Sequence, residues 1–546
     1  MRKNPMQQNK YKLAIVFLLL ILKSHISYSV PVTEYSESTG EIMFIENQED
    51  NNYFVTSVSG LEPRLTGGNA WTSLKNSRQR SLAYVNNARN YSVNSNYYLD
   101  MWEENSPIAY PYTTHRCIDS YSNCNPDTGT SIFSPPPLVD KYGFYGVIPA
   151  NGWAHAEISS AFFSYLKSMN VGETLTRTMN FCRTDIYYDP TKGERCVDQT
   201  SGRWERRTIH HLKDSHLILK RTGAITNLMV DSAGNPIILP GSQGCESATI
   251  GTRSGVICEF LDYDLNSSSG RSYSNISIDT TLMKGLTLNN NADLQKSTDK
   301  SYWRNHGSTL NLNYLKENNK IYLFMSTALL KNIISSNSDT LNIKSLINFL
   351  FYNSTTPESG YYELSGTTDI NVQPREFSVS ITSRDYISNP YKVGKVGEDI
   401  LTFNYEIIKS APIPSSSFDI SISQTIPGTW NNDYCLFYPE NSTDINHAVP
   451  IPAYVSFTQE DGSYFRQLIN CDHGKISLQE NNIIESRAAI IDPDPSGANN
   501  ITTQFYNLDL EFDLTDESTR RTTNDSFWEG EVHQSGTLTI KAVWNE

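Results

Sequence analysis

Side chains capable of chemistry are plentiful in this 546-residue chain, but few are spaced to perform it. Glu103-Glu104 and Asp492/Asp494 bring acids close in sequence, and a glycoside hydrolase needs two carboxyls held across the scissile bond. Adjacency alone does not hold two carboxyls across a bond, and with 59 Asp and Glu in the chain, solvated surface accounts for acid pairs of this kind. The prolines and glycine of Asp492-Pro493-Asp494-Pro495-Ser496-Gly497 mark a turn in preference to a calcium loop. On a strand, His210-His211 would point apart and fail to share a metal ion, and His473 reads as a satisfied loop or strand residue. The chain has no C-x-x-C, H-E-x-x-H, G-x-S-x-G or P-loop motif, and no G-x-G-x-x-G in a βαβ setting. No catalytic residue, metal ligand or cofactor is predicted.

One cluster stands out against this background. Arg183, Arg195, Arg203, Trp204, Arg206 and Arg207 surround the stretch from Cys182 to Cys196, with Tyr187 and Tyr188 inside it. A guanidinium binds anions bidentately and an aromatic face stacks on sugar C–H groups. Arg183, Arg195, Arg203 and Trp204 are therefore the candidate receptor site, with a sulfated or sialylated glycan as the ligand. The plainer alternative is a charged strand face balancing nearby acids. The cysteines suggest disulfides between sequence neighbours: Cys117 with Cys124, Cys182 with Cys196, Cys245 with Cys258, and Cys435 with Cys471. Proximity alone selects this set among the ~105 pairings that eight cysteines allow.

The elements that must carry these residues read as strands. Phe377, Val379 and Ile381 alternate with polar neighbours, as do Leu508, Leu510, Phe512 and Leu514, and Leu538, Ile540, Ala542 and Trp544. That period of two, punctuated by Asn, Ser, Gly and Asp, is the pattern of half-buried antiparallel strands. Ile158, Ala161, Phe162, Tyr165, Leu166 and Met169 recur at helical spacing, predicting one amphipathic helix over 156–169. A second short helix is expected over 328–334. The fold class is mainly β: serial β-sandwich domains with a few short helices.

Composition and the N-terminus set the compartment. The chain is 38% hydrophobic and 19% charged, which excludes a disordered polymer and a membrane bundle, and its formal charge of −15 argues against nucleic acid as a partner. Arg2, Lys3, Lys10 and Lys12 precede the apolar run Leu13 to Leu22, and Ser27-Tyr28-Ser29 suits signal peptidase. Ten apolar residues are too few to span ~30 Å of hydrocarbon. Cleavage after Ser29 removes five basic and no acidic side chains, taking the formal charge from −15 to −20. Export also favours disulfides over a metal site.

The predicted organisation is a signal peptide at 1–29 followed by β domains at 30–215, 216–372 and 373–546. The break near 215 follows the basic segment Arg203 to His211, where the apolar pattern restarts at His216-Leu217-Ile218-Leu219. The break near 373 precedes the strand-like Phe377 to Ile381.

Several segments carry a resemblance. They are Phe44 to Lys75 (FIENQEDNNYFVTSVSGLEPRLTGGNAWTSLK), Asp100 to Pro107 (DMWEENSP), Ile250 to Phe260 (IGTRSGVICEF), Thr355 to Ser365 (TTPESGYYELS), Pro374 to Ile381 (PREFSVSI) and Gly530 to Trp544 (GEVHQSGTLTIKAVW). The chain resembles the EcpD-type tip adhesins of the bacterial common pilus, an alternate chaperone–usher fimbria, over nearly all of its mature length. The resemblance implies a non-catalytic pilus subunit at the cell surface that mediates host attachment and early biofilm formation. It implies a periplasmic chaperone, an outer-membrane usher and a major pilin as partners, and self-association in tip polymers. It also implies that the C-terminal domain is an incomplete immunoglobulin-like sandwich. After Leu538, Ile540, Ala542 and Trp544 no sequence remains for a further strand, so those four residues are expected to face a groove filled by a donor strand from another chain. The rival class is a secreted carbohydrate-active enzyme with β-sandwich modules.

Overall fold

The computed structural model describes residues 29–545 except 60–64, 71–81, 87–91, 94–95, 117–134, 150–151, 154, 240–241, 269–271, 336–340, 356–360, 386–389, 432, 441, 473 and 494–499. The predicted leader, Cys117 with Cys124, His473 and Asp494 lie outside the described residues. Strands dominate what is described, as the period-two patterning requires.

The first two thirds of the chain share one large sheet. At its centre Ser38–Asn47 runs parallel to the 18-residue strand Arg203–Lys220 and antiparallel to Asn52–Ser59. Alternation lets both faces of this sheet carry a core. Ile42, Phe44, Val55 and Ile209 enter one hydrophobic cluster with Leu99, Met101 and Phe181. Met43, Ile45, Phe54, Leu217 and Leu219 enter another with Phe260, Ile321 and Phe349.

The switch between cores on the long strand has a local cause. Lys213 pairs with Ile42 and Ser215 with Met43, so Asp214 is an extra residue in the ladder. Such a bulge inverts the face on which later side chains project. Odd-numbered Ile209 therefore faces the first core, whereas odd-numbered Leu217 and Leu219 face the second. Asp214 is fully buried and accepts hydrogen bonds from the Tyr273 hydroxyl (2.7 Å) and Ser268 Oγ (3.2 Å). The restart of the apolar pattern near residue 215 coincides with this change of phase, and the strand continues through it.

The helix of the first unit, Ser160–Ser168, begins at the Ser159 cap, whose hydroxyl accepts from the Phe162 N–H. It starts four residues later than the pattern suggests, because His155–Ile158 is a strand pairing with Tyr112–Arg116. Its far end is tied to the sheet by the buried Lys213 ammonium, which donates to the carbonyls of Leu166 and Met169 at 2.7 Å each. Placing a cation against orphan C-terminal carbonyls satisfies both groups. The second helix is Thr327–Ser335, burying Leu329, Leu330 and Ile333.

The last third forms a two-sheet sandwich. One sheet runs in the order Ser378–Ser383, Ile400–Ala411, Asn500–Asp513, Ala453–Thr458, Tyr464–Leu468. The facing sheet is Lys475–Ser477, Ser417–Gln424, Gly536–Val543. Phe377, expected to begin a strand, instead has φ of 53° and is followed by the first strand residue, Ser378.

Because the phase change depends on one extra residue, deletion and substitution at Asp214 should differ sharply. Asp214→Ala keeps the register and removes the carboxylate that accepts from Tyr273 and Ser268, which should lower unfolding free energy by ~1–3 kcal/mol. Deleting Asp214 turns Leu217 and Leu219 away from their core and should abolish soluble folding. Denaturant unfolding and soluble yield of the two variants check this, and equal yields would contradict it.

Candidate functional site

Two regions combine accessible surface with organised chemistry. The first is a groove in the C-terminal sandwich. Ser378–Ser383 pairs only with Ile400–Ala411, and Gly536–Val543 only with Ser417–Gln424, so two strand edges are left free among the described residues. They meet at one end, where the Phe377 and Trp544 rings pack edge to face at 5.7 Å. Beyond that contact lies a groove of about 780 Å³ lined by Ile381, Phe403, Phe437, Phe512 and Leu538, reaching Asp369 and Asn371 of the preceding unit.

The lining is unfinished core. Leu538, Ile540 and Ala542 project from the final strand onto the cluster built on Ile407, Phe418, Ile420 and Leu508, yet all three remain only half-buried. Trp544 lies one residue beyond the strand, also half-buried, and its indole N–H is buried without a hydrogen-bond partner. Exposed apolar side chains beside unpaired strand edges are what another strand can cover.

The second region surrounds the Arg/aromatic cluster of the first unit, and the sheet divides that cluster. Arg183 stands opposite Arg203, and Cys182 opposite Trp204, so Arg183 and Arg203 project from one face and Trp204 from the other. Arg183 lies over the Tyr97 ring at 4.9 Å, and Arg203 donates to Glu205 at 2.9 Å. On the opposite face Arg206 bridges Glu34 (2.8 Å) and Glu104 (3.1 Å) and covers the Trp204 ring at 5.0 Å. Arg195 stacks on Tyr145 at 4.2 Å and donates to the carbonyls of Pro190 and Glu194.

Arg195 also borders a pocket of about 560 Å³ that the sequence did not suggest. Strand Tyr98–Glu104 turns Asp100, Trp102 and Glu104 to one face, Gly143–Val147 adds Tyr145, and the preceding turn adds Asp140 and Tyr142. Gly143 is required here, because a Cβ would collide with the Met101 carbonyl. The legible signal was the alternation Asp100-x-Trp102-x-Glu104.

Below the pocket, Asp100 is wholly buried and gathers three donors: the Tyr188 hydroxyl, the Gly146 N–H (2.8 Å) and the Cys196 N–H (2.8 Å). Burial pushes its carboxyl up to about 6 despite these bonds and nearby Arg195. The disulfide Cys182–Cys196, with Cα atoms 5.9 Å apart, closes the same loop. Disulfides also join Cys245 with Cys258, on paired strands, and Cys435 with Cys471.

The adjacent acids do not act as a pair. Glu104 faces the pocket side, whereas Glu103 is buried in the first core with Arg177 and the Tyr112 hydroxyl. Arg177 also donates to His211 Nε2 at 3.1 Å, and burial holds that imidazole neutral, its pKa well below the usual value. His210 sits on the opposite face against Thr176 and Glu37, so the two histidines do diverge, but His211 is core and not surface. Among the described residues no group of three His, Cys, Asp or Glu is placed to hold a metal ion.

Asp100 gives a signed pH effect. A carboxyl whose folded pKa (about 6) exceeds its ordinary 3.8 binds its proton more tightly when folded. Its contribution is therefore fully favourable below ~4 and is lost as pH rises through 6, by up to ~3 kcal/mol. The stability difference between wild type and Asp100→Asn should shrink by this order from pH 4 to 6.5. A constant difference in denaturant titrations would refute the assignment.

Comparisons with known proteins cover the whole chain. Family models described as the N-terminal, middle and C-terminal domains of the E. coli common pilus adhesin EcpD match residues 31–217, 221–369 and 376–542. "Fimbria adhesin EcpD" of Escherichia coli O157:H7 is 33% identical over 546 residues, covering 97% of this chain and 98% of that protein. The protein of the same name from strain K12 is 32% identical with the same coverage. Among solved structures, CfaE, the adhesive subunit of CFA/I fimbria of enterotoxigenic E. coli, aligns with 59% of this chain and 98% of its own at 9% identity. The TM-score is 0.17, too low to bear on this fold.

Proposed function

The chain belongs to the EcpD family of common-pilus adhesins, and from that membership together with the open groove we propose that it is a non-catalytic fimbrial tip adhesin joined to its fibre by donor-strand complementation. The groove carries this reading. Two free strand edges flank half-buried Leu538, Ile540 and Ala542, and an inserted strand would pair with the edges while its alternate side chains fill the space between them. The unpartnered Trp544 N–H supplies a donor for an incoming carbonyl.

On this reading a periplasmic chaperone supplies the strand first and a pilin replaces it after passage through an outer-membrane usher. The leader at 1–29 directs export and is removed, and the protein works on fimbriae at the bacterial surface in attachment and early biofilm growth, with self-association at the tip. Units at 30–215, 216–372 and 373–546 divide the labour, the last serving assembly and the first contact. The enzyme reading gains nothing from the adjacent acids Glu103 and Glu104, which project to opposite faces of one strand.

The full mature chain extended at its C-terminus by a flexible linker and a pilin N-terminal strand should be monomeric and more heat-stable than the unextended chain. Each large apolar side chain seated in the groove contributes ~1.5–3 kcal/mol. Leu538→Asp, in the groove lining, should cancel the gain. An extended chain with unchanged melting temperature and association state would exclude donor-strand complementation.

A further inference from the structure

We propose that the pocket beside Trp102 binds an uncharged glycan, an inference that rests on the adhesin reading and specifies its ligand. Its volume of about 560 Å³ falls within the ~300–1,000 Å³ of small-molecule sites. The walls carry flat rings: Trp102 lies 6.4 Å from Tyr145 and 5.9 Å from Trp204, and Tyr142 is 47% exposed at the mouth. The negative face of such rings attracts the polarised C–H groups of a sugar. Glu104, Asn105, Asp140 and Arg195 supply acceptors and donors around them, the directional groups that a ring of hydroxyls needs.

Charge selects against an anionic sugar. The nearby cations are already engaged: Arg206 with Glu34 and Glu104, Arg195 with two carbonyls and the Tyr145 face, and Lys141 over the Tyr142 ring at 4.7 Å. Two carboxylates, Glu104 and Asp140, face the space, and a sulfate or sialic acid would meet both of them against the single guanidinium of Arg195. Arg183 and Arg203, which could otherwise serve an anion, project from the other side of the sheet.

The site is also held in shape before any ligand arrives. Asp140 accepts from the N–H groups of Tyr142 (2.8 Å) and Gly143 (3.1 Å) and from the Tyr145 hydroxyl (3.2 Å). The loop bearing Arg195 is fixed by the Cys182–Cys196 bond and by Asp100 beneath it. A preorganised pocket loses little entropy on binding, which suits the small contact area of one or two sugar rings.

The test uses the full mature chain on an array of neutral oligosaccharides ending in galactose, glucose, mannose or N-acetylglucosamine, with 3′-sialyllactose and a sulfated disaccharide as anionic comparators. Affinities are read by tryptophan fluorescence and saturation-transfer NMR. At least one neutral glycan should bind, with little change between low and high salt. Trp102→Ala and the more exposed Tyr142→Ala should each weaken it about tenfold while the melting temperature of the Tyr142 variant is retained. Binding of anionic comparators alone, silence across the neutral set, or binding lost on Arg183→Ala and kept in both aromatic variants would overturn the proposal. None of these outcomes touches donor-strand complementation, which is read separately from melting temperature and association state.

Discussion

A single sheet with a core on each face governs the first two thirds of this molecule, and it works only because Asp214 is inserted into the ladder of Arg203–Lys220. A regular strand would present Ile209, Leu217 and Leu219 on one side. Here Ile209 must fill one core and the two leucines another, so the polypeptide has to change phase within a continuous strand. The extra backbone groups and a buried carboxylate are costly, and Tyr273 and Ser268 offset that cost by satisfying Asp214 directly. The strand Arg203–Lys220 thus contributes to two interiors, one on each side of the bulge. The third unit is attached more lightly. Its Ile408 and Phe505 pack with Met229 and Leu239 in a small cluster, and Asp369–Pro374 ends just before its first strand.

That arrangement bears on where an open strand edge can be tolerated. In the shared sheet, central strands such as Ser38–Asn47 are paired on both sides and buried on both faces. An open edge there would expose two cores at once. In the C-terminal sandwich the free edges border only the margin of a core whose centre, at Ile407, Phe418, Ile420 and Leu508, is already closed. The sandwich can therefore fold with a groove in its flank. The half-buried state of Leu538, Ile540 and Ala542 measures what is left to gain from a partner strand.

Much of this was legible in the sequence. Strand content, both helices and the apolar face of the last strand follow from periodicity, because a two-residue repeat puts its apolar side chains on one face only in a strand and a 3.6-residue repeat only in a helix. The role of the last strand as a groove wall follows from the family resemblance and not from any local signal. Three features escaped for physical reasons. The bulge at Asp214 shows in sequence only as a reset of the apolar pattern, a signal that a domain boundary also produces. Whether the Arg/aromatic cluster converges could not be read, because sequence distance ignores the alternation that sends Arg183 and Arg203 to one face and Trp204 to the other. The pocket was hidden because its walls come from residues 100–104, 140–145 and 195–197, which only the register of Tyr98–Glu104 with Gly143–Val147 and Thr174–Thr184 brings together. Asp100, whose burial organises all three segments, is indistinguishable in sequence from the chain's many solvated acids.

The charge distribution has its own consequence for how such a molecule meets a surface. A chain with formal charge −15 is repelled by the anionic surfaces of cells, although salt confines that repulsion to ~8 Å under physiological conditions. Its most basic stretch cannot counter this. Arg203 is committed to Glu205, Arg206 to Glu34 and Glu104, and Arg207 lies over Tyr35 while donating to Ser38. Long-range attraction is thus neutralised within the protein itself. What remains at contact distance is ring stacking, fixed hydrogen-bonding groups and shape, which are insensitive to salt and selective for the ligand that fits. On the proposed reading, such a surface would hold a partner by complementarity once the fibre has carried it there, and would not depend on drawing the partner in.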